Sequence, residues 1–160
     1  MSMTIHSEAF RDGDPIPKQY TGEGEDISPP LVWAHAPAGT REFVLMVDDP
    51  DAPSRDPWVH WLIYKIPADA TGLPRGVAAS AQLKQPAGAV QGHNSWTSGR
   101  VIGYRGPMPP PGSGPHHYRF RLFALDAPLA VADSATVATL RSLIDGHVLA
   151  EAVLVGTYER

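Results

Sequence analysis

Residues 117–125 have the sequence His117-Tyr118-Arg119-Phe120-Arg121-Leu122-Phe123-Ala124-Leu125. Arginines alternate with aromatic and aliphatic side chains at a period of two, which is typical of a β-strand with one face toward a core. The same alternation places His116 and Tyr118 on one face of the strand and His117 on the other. We therefore predict a long strand in which His117 is a structural or exposed residue.

Two other apolar runs, 42–47 and 59–66, contain β-branched and aromatic residues and are too short for typical helices. Each predicts a strand, and the run at 42–47 predicts one that is covered on both faces. The first run ends in Asp-Asp-Pro-Asp-Ala-Pro at 48–53, which cannot continue a central strand. Shorter runs predict further strands at 31–33, 87–91 and 153–158.

One helix is predicted near residues 135–145. Ser134 is a plausible N-cap, Gly146 fits the C-terminal stop, and the apolar residues between them share one helix face. The chain also contains 17 Pro and 15 Gly, about a fifth of its 160 residues, spread along the whole length. Such a chain turns often and holds few long helices. We predict one soluble, antiparallel β-rich domain over residues 1–160.

Composition excludes several classes of function. The net charge of −4 argues against general nucleic-acid binding, which needs a basic surface. The absence of cysteine excludes disulfides, thiolate metal sites and a cysteine nucleophile. The first residues have neither a basic nor an apolar signal region, and no apolar run could span a bilayer. We predict a cytoplasmic protein without integral membrane association.

Polar residues of unusual chemistry concentrate at strand ends, in segments 48–53, 58–61 and 112–118. The adjoining strands would hold these polar groups in place. A phosphate oxygen needs N–H and O–H donors, which imidazole, phenol and backbone amides supply. Gly112 and Gly114 could turn backbone amides toward such an anion. The residues therefore indicate a pocket for a small anion, whereas Trp58, Trp61 and Phe120 are expected in the core.

These segments together resemble the phosphatidylethanolamine-binding protein family, also called Raf kinase inhibitor-like proteins, and most closely its bacterial branch. The matching motifs are Asp-Pro-Asp-Ala-Pro at 49–53, the pair His60-Trp61, Gly92-His93-Asn94-Ser95-Trp96, Tyr104-Arg105-Gly106-Pro107, and Gly-x-Gly-x-His-x-Tyr at 112–118. The resemblance implies a mainly β, antiparallel sandwich-like fold with one or two peripheral helices.

The resemblance also implies five ligand-binding residues. Asp49 corresponds to a pocket-lining carboxylate, and His60 and His116 to two pocket histidines. Gly106 corresponds to a glycine whose backbone approaches the anion, and Tyr118 to a phenol at the pocket wall. Asp49 would either hold a histidine tautomer or accept a proton from a protonated phosphate or an ammonium head group.

A structural expectation concerns the loop after Asp49. Members of the family tend to have cis peptides in this region, although X–Pro bonds are seldom cis in folded proteins. We therefore expect at least one cis bond among Ala52–Pro53 and Asp56–Pro57. Asp51 is expected to cap backbone amides within its own loop.

The functional prediction is non-enzymatic binding of phosphate, a phosphorylated residue or a phospho-head-group, with regulation of a kinase or another protein partner. No catalytic residue, metal or cofactor is predicted, because Ser54, Ser95 and Ser113 lie outside a Gly-x-Ser-x-Gly elbow and no zinc-hydrolase histidine spacing occurs. The alternatives are a hydrolase with His60 or His116 as general base and Asp49 as its orienter, and a protein inhibitor acting through its surface. The resemblance also allows a homodimer.

Overall fold

Two antiparallel sheets form the framework of the computed structural model, which describes residues 1–160. The strands are β1 Thr4–His6, β2 Leu31–Ala34, β3 Glu42–Asp49, β4 Trp58–Pro67, β5 Gly72–Leu73, β6 Val90–Gln91, β7 His116–Leu125 and β8 Val148–Tyr158. The smaller sheet has the order β1-β2-β5, and the larger has the order β6-β4-β3-β7-β8. The predicted mainly β, antiparallel fold is confirmed.

The predicted long strands are present, and pairing explains where the others differ. Strand β8 starts at Val148, well before the predicted 153, because its first residues pair with the end of β7 down to Leu125. Strand β1 was not predicted, since its three residues become a strand only by pairing with β2. Pairing with residues distant in the sequence therefore determines where β8 begins and whether β1 forms at all.

The larger sheet is the middle layer of the molecule. One of its faces packs against the smaller sheet through a cluster that includes Ile5, Trp33, Leu45, Trp61 and Phe120. Its other face packs against the single α-helix through a cluster that includes Val44, Leu62, Tyr64, Leu140 and Ile144. Because both faces are covered, β3 is apolar along most of its length, as its sequence predicted.

The helix α1 spans Val137–Ile144, inside the predicted range. Its N-cap is Thr136, whose Oγ1 accepts a hydrogen bond from the Thr139 N–H at 3.3 Å. The prediction of Ser134 as N-cap was wrong, because Ser134 lies in the preceding turn with φ +61°. Gly146 ends the helix with φ +80°, as predicted. No helix has the length and apolar character that crossing a bilayer requires.

Strands β3 and β7 are joined by an ion pair as well as by backbone hydrogen bonds. Asp48 and Arg119 are cross-strand neighbours, and the guanidinium donates to both carboxylate oxygens at 2.7 and 2.9 Å. The Asp48 side chain is 3% exposed. A buried carboxylate is stable only with such a partner, so Arg119 fixes the end of β3 beside the start of β7.

Removal of the Arg119 charge should therefore be costly. We expect Arg119→Met to lower the free energy of unfolding by roughly 3 kcal/mol, because Asp48 would be left buried without a counter-charge. Arg121→Met is the matched control on the same strand, and its more exposed pair with Glu151 should contribute about 1 kcal/mol or less. Urea denaturation measures both values, and equal losses would contradict a special role for Asp48–Arg119.

Candidate functional site

The end of β3 and the beginnings of β4 and β7 surround an open cavity of about 490 Å³. Its walls are formed by Asp49, Ala52, Pro53, Ser54, Trp58, His60, Trp96, Met108, Pro109, Pro110, His116 and Tyr118. Four of the five predicted ligand-binding residues lie here together: Asp49, His60, His116 and Tyr118. The chain contains no group of three His, Asp or Glu side chains placed to hold a metal ion.

Asp49 and His116 form the most buried polar contact of the site. The Asp49 Oδ2 lies 2.7 Å from His116 Nδ1, and the two side chains are 5% and 6% exposed. The second carboxylate oxygen accepts the Asp51 N–H at 2.8 Å. A carboxylate beside Nδ1 requires a proton on that nitrogen, so Asp49 fixes the orientation of the ring with Nε2 pointing away from it.

The Nε2 atom of His116 lies 3.1 Å from the Ser113 hydroxyl oxygen, which is also 2.8 Å from the carbonyl oxygen of Pro110. The single hydroxyl proton can be donated to only one of these acceptors at a time. When Pro110 receives it, the contact between Ser113 and His116 is a hydrogen bond only if Nε2 is the donor. When Nε2 receives it, His116 is neutral.

His60 is also oriented through Nδ1, but by a neutral group. Its Nδ1–H donates to the backbone carbonyl of Arg105 at 2.6 Å. Burial lowers the pKa of His60 below its ordinary value of 6.5, and the Arg105 carbonyl only partly opposes this shift. Every fully buried side-chain nitrogen or oxygen has a partner, so the unpartnered Nε2 of His60 is open to the cavity. At neutral pH that atom is an acceptor.

Tyr118 presents its hydroxyl group to the same space. The residue is 1% exposed and its hydroxyl has no protein partner, so by the same reasoning this oxygen reaches the cavity. Burial raises the pKa of Tyr118 far above its ordinary value, and the charge of Asp49 adds to the effect. Tyr118 is therefore an O–H donor throughout the physiological pH range.

An aromatic wall leads from the polar end of the cavity to its mouth. The Tyr118 and His60 rings meet edge to face at 5.1 Å, as do His60 and Trp96. Trp96 continues to Trp58 at 5.4 Å, while the Arg105 guanidinium lies 4.5 Å from the Trp96 ring centre. Trp58 was predicted as core and instead lines the cavity, whereas Trp61 and Phe120 are core residues as expected.

Trp96 was absent from the predicted site, although it closes one of the motifs that carried the family resemblance. The loop that holds it is built on Asn94, whose side chain donates to the Arg100 and Gly103 carbonyls and accepts the Trp96 N–H. The sequence signal that could have identified this wall is Asn94, a side chain able to satisfy backbone groups within a Gly- and Ser-rich loop.

Gly106 lies outside the set of residues that line the cavity. Its N–H donates to the Asp26 carboxylate at 2.6 Å, so that amide is already occupied. A Cβ at position 106 would overlap the carbonyl oxygen of Tyr20. The structure thus gives Gly106 a packing reason to be glycine.

The loop from Pro50 to Pro57 forms another wall and differs from expectation. The Ala52–Pro53 and Asp56–Pro57 bonds are both trans, so the prediction of a cis bond here was wrong; the cis bond of the chain is Gln85–Pro86. The Asp51 carboxylate accepts the backbone N–H and Nδ1–H of His117, at 2.8 and 2.7 Å, instead of capping its own loop. The loop is therefore fastened to β7.

The rim opposite this loop is the proline segment before β7. Gly112 and Gly114 both have φ +81°, as a turn of glycines allows. The Gly112 N–H donates to the Arg160 carbonyl and the Ser113 N–H to the Pro110 carbonyl, so neither amide is free for an anion. Of the amides at 112–114, which were predicted to turn toward an anion, only that of Gly114 has no acceptor within the protein.

Comparison with known proteins agrees with this architecture. The model of the family described as phosphatidylethanolamine-binding protein matches residues 6–159. The chain belongs to the phosphatidylethanolamine-binding protein family. It is 47% identical over 158 residues to a UPF0098 protein of Methanothermobacter thermautotrophicus, covering 99% of both chains. Archaeal relatives of this kind extend the similarity beyond the bacterial branch.

Solved structures of family members superimpose closely. Escherichia coli YbcL, described as a member of the mammalian PEBP family, has a TM-score of 0.91 at 32% identity, covering 100% of this chain and 99% of that one. The PEBP homolog CT736 of Chlamydia trachomatis has a TM-score of 0.86 at 39% identity, with 99% and 98% covered. A Mycobacterium tuberculosis relative named as lipoprotein LppC is 41% identical over 157 residues, covering 98% of this chain and 72% of that protein.

The packing of Gly106 can be tested by stability. We expect Gly106→Ala to lower the free energy of unfolding by about 3 kcal/mol, because the new methyl group meets rigid backbone at Tyr20. Gly39→Ala is the control: Gly39 has φ +89° with nothing within 4 Å, so only backbone strain of about 1–2 kcal/mol applies. A Gly106→Ala protein with unchanged stability and weakened phosphate binding would contradict the packing role.

Proposed function

We propose that the cavity binds a small anion of the phosphate type, such as phosphate, a phosphorylated residue or a phospho-head-group, without consuming it. The observation that supports this most is the Tyr118 hydroxyl, which belongs to a buried residue, reaches the cavity without a protein partner and has a raised pKa. A buried polar group is stable when it finds a partner, and an anionic oxygen accepts its hydrogen bond.

His60 would supply the second contact. Its Nε2 is an acceptor while the ring is neutral, so it suits the P–OH group of a singly charged phosphate. Contact with a fully ionised oxygen instead requires protonation of the ring, which makes Nε2 a donor. In either case one proton lies between His60 and the ligand.

The remaining walls indicate what carries the anion. Trp58, Trp96, Met108 and the proline rim are largely apolar, so they favour a ligand with an apolar portion next to its anionic group. Phosphatidylethanolamine, for which the family is named, has a phosphate in its head group. A phosphorylated side chain of a protein partner, such as a kinase, would satisfy the same requirement.

Three further predictions accompany this proposal. We place the protein in the cytoplasm. Because a relative is named a lipoprotein, subcellular fractionation is the test of this placement. We retain the homodimer as a prediction that light scattering can test. Competition between phosphate and a protein partner distinguishes binding through the cavity from inhibition through another surface.

Loss of the Tyr118 hydroxyl should weaken anion binding. We expect Tyr118→Phe to raise the dissociation constant for inorganic phosphate by roughly tenfold, because one hydrogen bond to a charged group is removed. Isothermal titration calorimetry measures the change. Tyr158→Phe is the control, since the Tyr158 hydroxyl donates to Glu23 outside the cavity. Equal phosphate affinity in Tyr118→Phe and the wild type would contradict the proposal.

The role of His60 predicts a dependence on pH that sulfate can reveal, because sulfate keeps a constant charge in this range. In the free protein the pKa of His60 is below 6.5, and a bound anion stabilises the imidazolium and raises that pKa. Sulfate binding therefore takes up a proton, and affinity should fall by up to about tenfold per pH unit as pH rises from 5 to 8.

His60→Gln removes this titrating group and is the variant to compare. We expect smaller proton uptake on sulfate binding in His60→Gln, measured by calorimetry in two buffers of different ionisation enthalpy. Identical proton uptake in the wild type and His60→Gln would show that His60 does not face the anion.

A further inference from the structure

We propose that Ser113 is a nucleophile activated by His116 and Asp49, which gives this chain an acyl-transfer activity toward activated carboxylic esters in addition to anion binding. This inference goes beyond the proposed function and uses different atoms. The sequence suggested His116 and Asp49 as a general base and its orienter, but Ser113 was not identified as a nucleophile because it lies outside the Gly-x-Ser-x-Gly elbow of many serine hydrolases.

The geometry is that of a hydroxyl, an imidazole and a carboxylate in line. Ser113 Oγ lies 3.1 Å from His116 Nε2, and His116 Nδ1 lies 2.7 Å from Asp49 Oδ2. The carboxylate keeps the proton on Nδ1 and leaves Nε2 as the basic atom, next to the hydroxyl. Such a set is recognised by geometry and not by its order along the chain.

Ser113 differs from its two partners in exposure. Asp49 and His116 are buried, whereas Ser113 is exposed at the tip of the turn between the proline segment and β7. Ser113 does not itself line the cavity, but its hydroxyl contacts Pro110 and His116, which do. A substrate can therefore reach the hydroxyl from solvent while its apolar group enters the cavity.

The Ser113 hydroxyl has an acceptor in each of the two directions that activation requires, the Pro110 carbonyl and His116 Nε2. While its proton points to the Pro110 carbonyl, the serine oxygen is an acceptor for His116. Rotation about the Cβ–Oγ bond directs the proton to a neutral Nε2, and the oxygen lone pairs are then free for attack. The rotation changes one hydrogen bond for another and needs no movement of the backbone.

The chemical step is an acyl transfer. Ser113 Oγ forms a bond to the ester carbonyl carbon, and its proton passes to His116 Nε2. The tetrahedral intermediate then breaks the bond between that carbon and the leaving oxygen, which takes the proton from Nε2 and departs as the alcohol or phenol. Water attacks the acyl-serine by the same route, which releases the carboxylic acid and restores the hydroxyl.

A donor for the negative oxygen of the intermediate is present next to the serine. The N–H of Gly114, the following residue, donates to no backbone or side-chain acceptor, whereas those of Gly112 and Ser113 are occupied. In serine hydrolases with a nucleophile elbow, the N–H of the residue after the nucleophile supplies one oxyanion contact. Gly114 holds the corresponding position in this turn.

The test uses two probes on the full chain. Phenylmethanesulfonyl fluoride should form one adduct, in which a Ser113 Oγ–S bond replaces the S–F bond and fluoride leaves. Peptide mass spectrometry locates the adduct. With 4-nitrophenyl acetate, we expect release of 4-nitrophenol that falls by at least roughly 100-fold in Ser113→Ala. Because Ser113 is exposed, this variant should fold normally.

Two further variants distinguish activation from simple accessibility. Ser98→Ala removes another exposed serine, which has no histidine partner, and should behave as the wild type. Asp49→Asn keeps the shape of the carboxylate but no longer favours the proton on Nδ1, so 4-nitrophenol release should fall at least roughly tenfold while circular dichroism confirms the fold. Equal rates in the wild type and Ser113→Ala, or an adduct on another residue, would overturn the proposal.

The outcome is separable from that for anion binding. Ser113→Ala leaves Tyr118 and His60 in place, so inorganic phosphate should bind it within about twofold of the wild type. Failure of the acyl-transfer test with normal phosphate binding refutes only the nucleophile. Failure of phosphate binding with an intact serine adduct refutes only the proposed anion site.

Discussion

The hydrogen bond between Asp49 and His116 is the contact on which the rest of the site depends. A carboxylate this buried is costly unless a charged or donating partner accompanies it, and this carboxylate has two, the His116 ring and the Asp51 N–H. The bond joins the last residue of β3 to the first residue of β7. It thereby holds together two walls of the cavity and sets the direction of the imidazole.

Strand alternation extends this contact into a small network. Asp48 and Asp49 are consecutive, so they face opposite sides of the sheet, and each meets a basic residue of β7 on its own side. Asp51 then reaches His117. Since a shift of register by one residue would exchange these partners, the acidic end of β3 and the basic start of β7 specify each other.

The sequence predicted the parts of this site that follow from alternation and from recognisable motifs. The strands, the shared face of His116 and Tyr118, and the outward position of His117 depend only on neighbours within a strand. The cavity rim could not be predicted in this way, because Trp58 and the proline segment meet only after distant loops come together. The same reason explains Gly106, whose constraint is the backbone at Tyr20.

The two histidines of the cavity show how one residue type acquires two characters. Each ring is oriented by a hydrogen bond at Nδ1. The Nε2 atom of His60 faces the cavity, and that of His116 faces the Ser113 hydroxyl. The partner of His60 is a neutral carbonyl, so burial prevails and the pKa falls. The partner of His116 is a carboxylate, which keeps a proton on Nδ1 and leaves Nε2 facing the Ser113 hydroxyl.

The proline segment at the cavity rim is held in place by hydrogen bonds within the protein, without any ligand. The Arg160 side chain donates to the Pro109 carbonyl at 2.7 Å, and the Gly22 N–H donates to the Pro107 carbonyl at 2.9 Å. Proline restricts the backbone between these points. A ligand therefore loses little of its binding free energy to ordering the wall. Ser113, next to this segment, is the side chain that has two hydrogen-bond acceptors within reach. Because Pro110 and His116 are both held in place, the Ser113 hydroxyl lies between two fixed acceptors, and either can receive its proton.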